Sequence, residues 1–267
     1  MSEKGNQAVK TVSFMMLITL FGKILGMVRE QLLAANYGTD MQAAAFLLAG
    51  RIPRTFFDVI FASAISASFI PVFVEYLQKK GRQEAFSLAN RFITMISTVT
   101  LLMMLLGMAF AKPLTLLIAP GYDVETVTLC VGLLRMLFPT MLFTAVAFSF
   151  VGILQSLEEF NVPAALSVVS NGVLILYYIF FNEKFGILGL TAAFLIGWAM
   201  QAVIQIPSLW KKGYHYHPDF HFKDEGLRKI GKLMLPVMVS TWIQPINFMV
   251  NTRFASQLSG GSVVNGE

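Results

Sequence analysis

Cysteine is almost missing from this chain: Cys130 stands alone, so no intrachain disulfide can form. Histidine is nearly as scarce, with three residues, and no Cys/His spacing has the form of a zinc site. Charge is scarce too. Asp, Glu, Lys and Arg make up 13% of the 267 residues, about half the share of a soluble domain. In their place stand 56% hydrophobic residues and a mean hydropathy of +0.67, which exclude an ordinary soluble fold and point to an all-α polytopic membrane protein. Carboxylates hardly enter the apolar runs. There is no GxSxG, HExxH or P-loop and no intramembrane aspartate pair, so the reading is of a protein that is not an enzyme. Nothing implies a cofactor, a bound metal or a nucleic-acid partner. The start, "MSEKGNQAVK", leads into an apolar run too long for a signal-peptide core, with no small-residue cleavage site, and is read as retained.

A helix needs about 20 apolar residues to cross a hydrocarbon core about 30 Å thick. Runs of that kind, punctuated by Gly, Pro or charge, predict seven spans: 11–35, 41–77, 89–111, 124–154, 162–181, 187–209 and 227–258. The second is too long for a straight crossing and holds Gly50, Pro53 and Pro71, so a bend, a break or a strong tilt is expected there. Basic residues stay on the cytoplasmic side. With the N-terminus inside, twelve Lys and Arg fall on inner loops and helix ends, ending with Lys211, Lys212, Lys223, Arg228, Lys229 and Lys232. Only Lys112 and Lys184 fall outside. The expectation is a cytoplasmic N-terminus. A retinal-type receptor would want a lysine in the middle of the seventh span, whereas Lys229 and Lys232 lie at its inner end.

Six basic residues remain within or beside the spans: Lys23, Arg29, Arg51, Arg54, Arg135 and Arg253. A charge at the bilayer centre costs roughly 2.5–3.5 kcal/mol on insertion scales, so such residues usually face a bundle interior or a wet cavity. An all-cation set suggests an anionic ligand. Lys23 lies 12 residues into the first span, about 18 Å deep and near the midplane, between Gly22 and Gly26, a small-xxx-small pair that admits a close neighbour. Arg29 is about 9 Å higher and about 120° around the helix. It lines the same wide cavity or snorkels outward to pair with Glu30. Arg51, Arg54 and Asp58 share a helical face, and Arg54 with Asp58 has ion-pair spacing, so structural pairing and ligand contact both stand. Arg135, in "LLRMLFP", lies near the midplane with no carboxylate nearby in sequence. In the last span Gln244, Asn247 and Asn251 share a face, open to helix–helix hydrogen bonding or to substrate lining. The loop "YHYHPDFHF" groups His215, His217 and His221; an interfacial aromatic belt accounts for it more simply than a metal.

The ordered segments "GKILGMVREQLLAANYG", "GRIPRTFFDVIFASAISASFIPVFVEYL", "LLRMLFP", "GILQSLEEFNVPA" and "PVMVSTWIQPINFMVNTRFASQL" resemble the amino-terminal half of the MurJ (MviN) family. These are lipid II flippases of the multidrug/oligosaccharidyl-lipid/polysaccharide exporter superfamily. The resemblance runs from about Val9 to Ser262. It implies a carrier in the bacterial cytoplasmic membrane whose cargo is lipid II, the undecaprenyl-pyrophosphate-linked disaccharide peptide of peptidoglycan synthesis. Transport would proceed from the inner to the outer leaflet by alternating access between two lobes.

The family's first essential cavity arginine matches Lys23, which keeps the charge and loses the fork. The second matches Arg29, followed by the acid Glu30. A third basic position falls on Phe57, leaving Arg51 and Arg54 as the substitutes, and an aspartate common at the start of that helix is replaced near Ala44.

The implied organisation is a six-helix lobe over 1–210, a cytoplasmic inter-lobe loop over 211–226, and the first helix of a second lobe over 227–267. A missing C-terminal lobe would be an obligatory partner, alongside membrane lipids, whether the chain is a fragment or a half-transporter. The competing readings are a related exporter of other lipid-linked oligosaccharides or drugs, and a membrane scaffold whose buried cations are structural.

Overall fold

The computed structural model describes the backbone of residues 2–38, 40–241 and 243–258, and side-chain surroundings for these residues outside 2–11, 55–63, 244–245 and 255–258. Every regular element among them is helical. Six helices are long and apolar enough to cross a bilayer: Val12–Tyr37, Arg82–Ala109, Val124–Ser156, Asn161–Phe180, Asn182–Lys211 and Glu225–Phe254. The other expected span is helical from Met41 to Lys79, but it carries Arg51, Arg54, Asp58 and Glu75 and is not among the six.

The first helix, α1 (Ser2–Tyr37), packs chiefly against α9 (Leu166–Phe180), with smaller contacts to residues 161–164 and 41–64, and much of its described surface is exposed. Met16, Leu17 and Met27 are each more than 60% exposed, which a protein in water rarely tolerates and a lipid-facing helix requires. Its close approach to α9 comes from Gly22. A Cβ there would run into Ser167 Oγ and lie 3.3 Å from Ser167 Cβ. The expected small-residue contact therefore exists.

The second helical run does not break at Pro53, which lies inside α2 (Met41–Ala64). Its irregularity comes a few turns later, as a π-helical turn over Ile65–Phe69 that passes directly into α3 (Ile70–Lys79). The widened turn pushes Phe69 into the core, where its ring stacks on Phe92 at 4.6 Å and closes on Gly152 of α7 (Thr140–Ser156). A methyl group on Gly152 would come within 2.9 Å of that ring.

Helix α4 (Arg82–Ala109) is followed by the short α5 (Ala111–Ile118), and α6 (Val124–Leu137) meets α7 at Phe138–Pro139. Proline removes a backbone donor there and lets one span turn in its middle. After α8 (Asn161–Ala164) and α9, the helix α10 (Asn182–Val203) kinks at Gly186, whose φ of +54° lies in the left-handed region that favours glycine. The Gly186 carbonyl freed by the kink accepts a 2.6 Å hydrogen bond from the Tyr177 hydroxyl. Helix α11 (Ile206–Lys211) ends the span, and α12 (Glu225–Thr241) and α13 (Ile243–Leu258) follow a long connection. The core is built mainly from α2, α4, α6, α7 and α10, and α12 packs on α2 and on the π turn.

Candidate anion-binding site

The site begins with two arginines that helical periodicity alone does not bring together. Arg29, on α1, reaches across to α9, where its Nη1 donates to Asn171 Oδ1 at 3.1 Å, while Nη2 donates to Glu30 Oε1, also at 3.1 Å. Asn171 is buried and donates its own Nδ2 to the Gly22 carbonyl at 3.1 Å. One amide thus fastens α1 to α9 and holds the guanidinium. Arg54, on α2, has its Cζ 5.7 Å from the centre of the Trp198 ring of α10, within cation–π range. Both arginines line a single cavity of about 560 Å³ and are near enough for their charges to interact.

The other polar groups facing that cavity are uncharged. Thr19, Ser66, Ser167 and Ser170 supply hydroxyls, and Gln155, Asn171 and Gln201 supply amides. No carboxylate is among the described lining residues, and Glu30, which pairs with Arg29, is 72% exposed outside it. Among the described residues, the cavity thus carries two permanent cations with hydroxyl and amide donors, a chemistry that suits an anion. Guanidinium forks suit phosphate oxygens, which accept two parallel hydrogen bonds from each. A larger hollow of about 700 Å³ lies between the starts of α2, α6 and α10; it is mostly apolar, and Glu125 is the one charged residue among its described lining residues.

The remaining residues singled out in the sequence are placed elsewhere. Lys23 is exposed and is not part of the cavity wall. Arg51 lines a separate crevice with Tyr122 and with Phe248 and Thr252 of α13. Arg135 is exposed and donates Nε to the Met108 carbonyl at 3.2 Å, near the C-terminus of α4, where helix carbonyls lack partners and a cation is favoured. Asn247 and Asn251 bond to each other at 3.0 Å on an exposed face. The side chains of Gln244 and of Asp58, the expected partner of Arg54, lie outside the described residues.

Asn171 and Trp198, the two residues that position the arginines, are not among those that the sequence singles out. An amide in the middle of an apolar helix was the available signal for the first; nothing local marks the second. In the histidine loop, His215 stacks on Trp210, His221 Nδ1 lies 2.6 Å from Asp219 Oδ1, and no metal-holding cluster exists among the described residues.

The family described as "Lipid II flippase MurJ" matches residues 33–265. The probable lipid II flippase MurJ of Buchnera aphidicola subsp. Acyrthosiphon pisum is 32% identical over 251 residues, which cover 92% of this chain and 49% of that protein. The corresponding protein of Haemophilus influenzae is 30% identical over 261 residues, with 92% and 50% covered. The chain therefore spans about half the length of the curated relatives it matches. Among solved structures, lipid II flippase MurJ in an inward closed conformation superposes with a TM-score of 0.77 at 25% identity, over 92% of this chain and 51% of that one. An inward-facing multidrug resistance MATE family transporter gives 0.72 at 17% identity, over 89% and 54%, and shares the fold.

Proposed function

We propose, because this chain belongs to the lipid II flippase MurJ family, that it forms the anion-holding lobe of a carrier for lipid II. The cargo is the undecaprenyl-pyrophosphate-linked precursor of peptidoglycan, moved from the inner to the outer leaflet of the cytoplasmic membrane. The observation that carries the reading is that Arg29 and Arg54, from two different helices, line one cavity among whose described residues the other polar groups are neutral. A pyrophosphate cannot enter hydrocarbon without cations and water to meet it. Two guanidinium groups offer parallel charge-assisted bonds to its oxygens, while the prenyl tail stays in the bilayer.

The chain works as a multi-pass membrane protein with its N-terminus in the cytoplasm. Residues 1–210 form the first lobe, 211–226 the cytoplasmic connection and 227–267 the first helix of a second lobe, which is the partner that alternating access requires. The protein moves its cargo without chemical change. Lys23, Arg51 and Arg135 serve other stages or structural roles, and only Arg29 and Arg54 grip the pyrophosphate together.

The test uses the complete protein reconstituted in vesicles with a fluorescent lipid II analogue. Each charge-assisted contact is worth about 1.5–3 kcal/mol, so Arg29→Gln or Arg54→Gln lowers cargo affinity roughly 10-fold to 150-fold while the variant still folds. Unchanged flipping in the Arg29→Gln/Arg54→Gln double variant at normal levels would overturn the proposal.

A further inference from the structure

The connection between α11 and α12 is held against the lobe. Tyr214 is buried beneath Phe86 and donates to Asn90 Oδ1 at 2.8 Å. The Tyr216 hydroxyl lies 3.0 Å from Thr94 Oγ1, which also accepts from the Asp219 amide at 3.1 Å. Arg91 then takes both acids: its Nε pairs with Asp219 at 2.9 Å and its Nη1 with Asp224 at 2.6 Å. Asp224 in turn accepts from the Gly226 and Leu227 amides and opens α12.

This arrangement sorts the chemistry of the loop. Its two aspartates turn inward onto Arg91, and aromatic rings are left outside: Phe220 is 66% exposed, and Phe222, packed edge-to-face on it, and Trp210 are exposed too. Lys211, Lys223 and Arg228, in the same connection or at its ends, are exposed, and Glu225 is the exposed acid between 210 and 228. The level of the loop is fixed as well. Asn90, Arg91 and Thr94 lie about 12–18 Å from the start of α4 at 1.5 Å per residue, and Arg91 is the last charged residue of that helix. The loop is therefore clamped where α4 passes from its charged end into its apolar length, the level at which aromatic rings settle in a membrane interface.

We propose that the outer face of residues 210–223 docks on the headgroup layer of the bilayer and prefers anionic phospholipid. The rings of Trp210, Phe220 and Phe222 enter the interface, and Lys211 and Lys223 hold lipid phosphates. Arg91 serves this surface by withdrawing the carboxylates that would repel those phosphates. The inference does not depend on the cargo of the carrier.

The test places a cysteine at Phe220 or Phe222 of the complete protein, with Cys130 replaced by alanine, and attaches a nitroxide. The protein is reconstituted in phosphatidylcholine with or without phosphatidylglycerol. Collisions with oxygen should exceed those with a water-soluble nickel chelate at both positions, and the excess should grow with phosphatidylglycerol. That growth should vanish in Lys211→Gln/Lys223→Gln, and Arg91→Met should return both labels toward the aqueous ratio. Chelate collisions prevailing at both positions in both bilayers would overturn the proposal, whether water or a protein partner covers the face. Equal ratios in the two bilayers would overturn the part assigned to the lysines.

Discussion

Asn171→Leu removes two hydrogen bonds without changing side-chain size much, and the structure sets what each is worth. The bond to the Gly22 carbonyl joins two helices inside a bilayer, where such bonds average about 0.6 kcal/mol and reach about 1.7. The bond from Arg29 involves a charge, worth about 1.5–3 kcal/mol, and the 24% exposure of that side chain places it at the low end. Together they amount to about 2 kcal/mol of stability, read as unfolding of the complete protein in detergent. Flipping should fall about tenfold, because Arg29 then leaves its place in the cavity at a cost of about 1.4 kcal/mol. Asn171→Asp separates the two effects: a carboxylate there gains an ion pair with Arg29 but loses the donor to the Gly22 carbonyl, so stability should fall less than in Asn171→Leu, while flipping drops because one cavity charge is cancelled. In a double-mutant cycle, Arg29→Gln and Asn171→Leu should couple by about 1.5 kcal/mol. Additivity within about 0.3–0.5 kcal/mol would refute the assignment of Asn171 as the residue that holds Arg29.

Three further outcomes are expected. Gly22→Leu wedges α1 from α9 at Ser167 and should cost about 1–3 kcal/mol of unfolding free energy, with part recovered by Ser167→Gly; an unchanged unfolding curve would contradict the close approach. Trp198→Leu removes the ring beneath Arg54 and should weaken cargo binding about two- to fivefold in equilibrium titration, with Trp198→Phe nearer to wild type. The Asp219 carboxyl is held below the usual carboxylate range by hydrogen bonds from the His221 amide and ring and by Arg91. Because its folded value is depressed, its contribution is fully present above the unfolded value of about 3.9 and is lost as pH falls through the folded value. A nitroxide at His217 should stay immobile above about pH 4 and loosen under stronger acid, and in Arg91→Met it should be mobile throughout.

Much of the architecture could be read before any coordinates. The apolar runs located the helices, since burying backbone in hydrocarbon requires internal hydrogen bonding. The glycine at position 22 announced a close helix contact. The second run shows the limit: its prolines marked it as irregular, yet the helix passes straight through Pro53, and the irregularity is a π turn that no residue in Ile65–Phe69 advertises.

The basic residues draw the same line more sharply. Composition and hydropathy by themselves determined that this is a membrane protein with cations stranded in apolar helices, because both properties are sums over neighbouring residues. Which of those cations meet was decided by tertiary packing. Arg29 and Arg54 converge because Asn171 and Trp198, far along the chain, receive them, and Arg135 is taken by the Met108 carbonyl of another helix. Periodicity placed Arg51 and Arg54 on one face, but the helices around α2 divide that face between a crevice at α13 and the cavity at α10. A helix fixes the angle between its own side chains and carries no information about which neighbour each of them will meet.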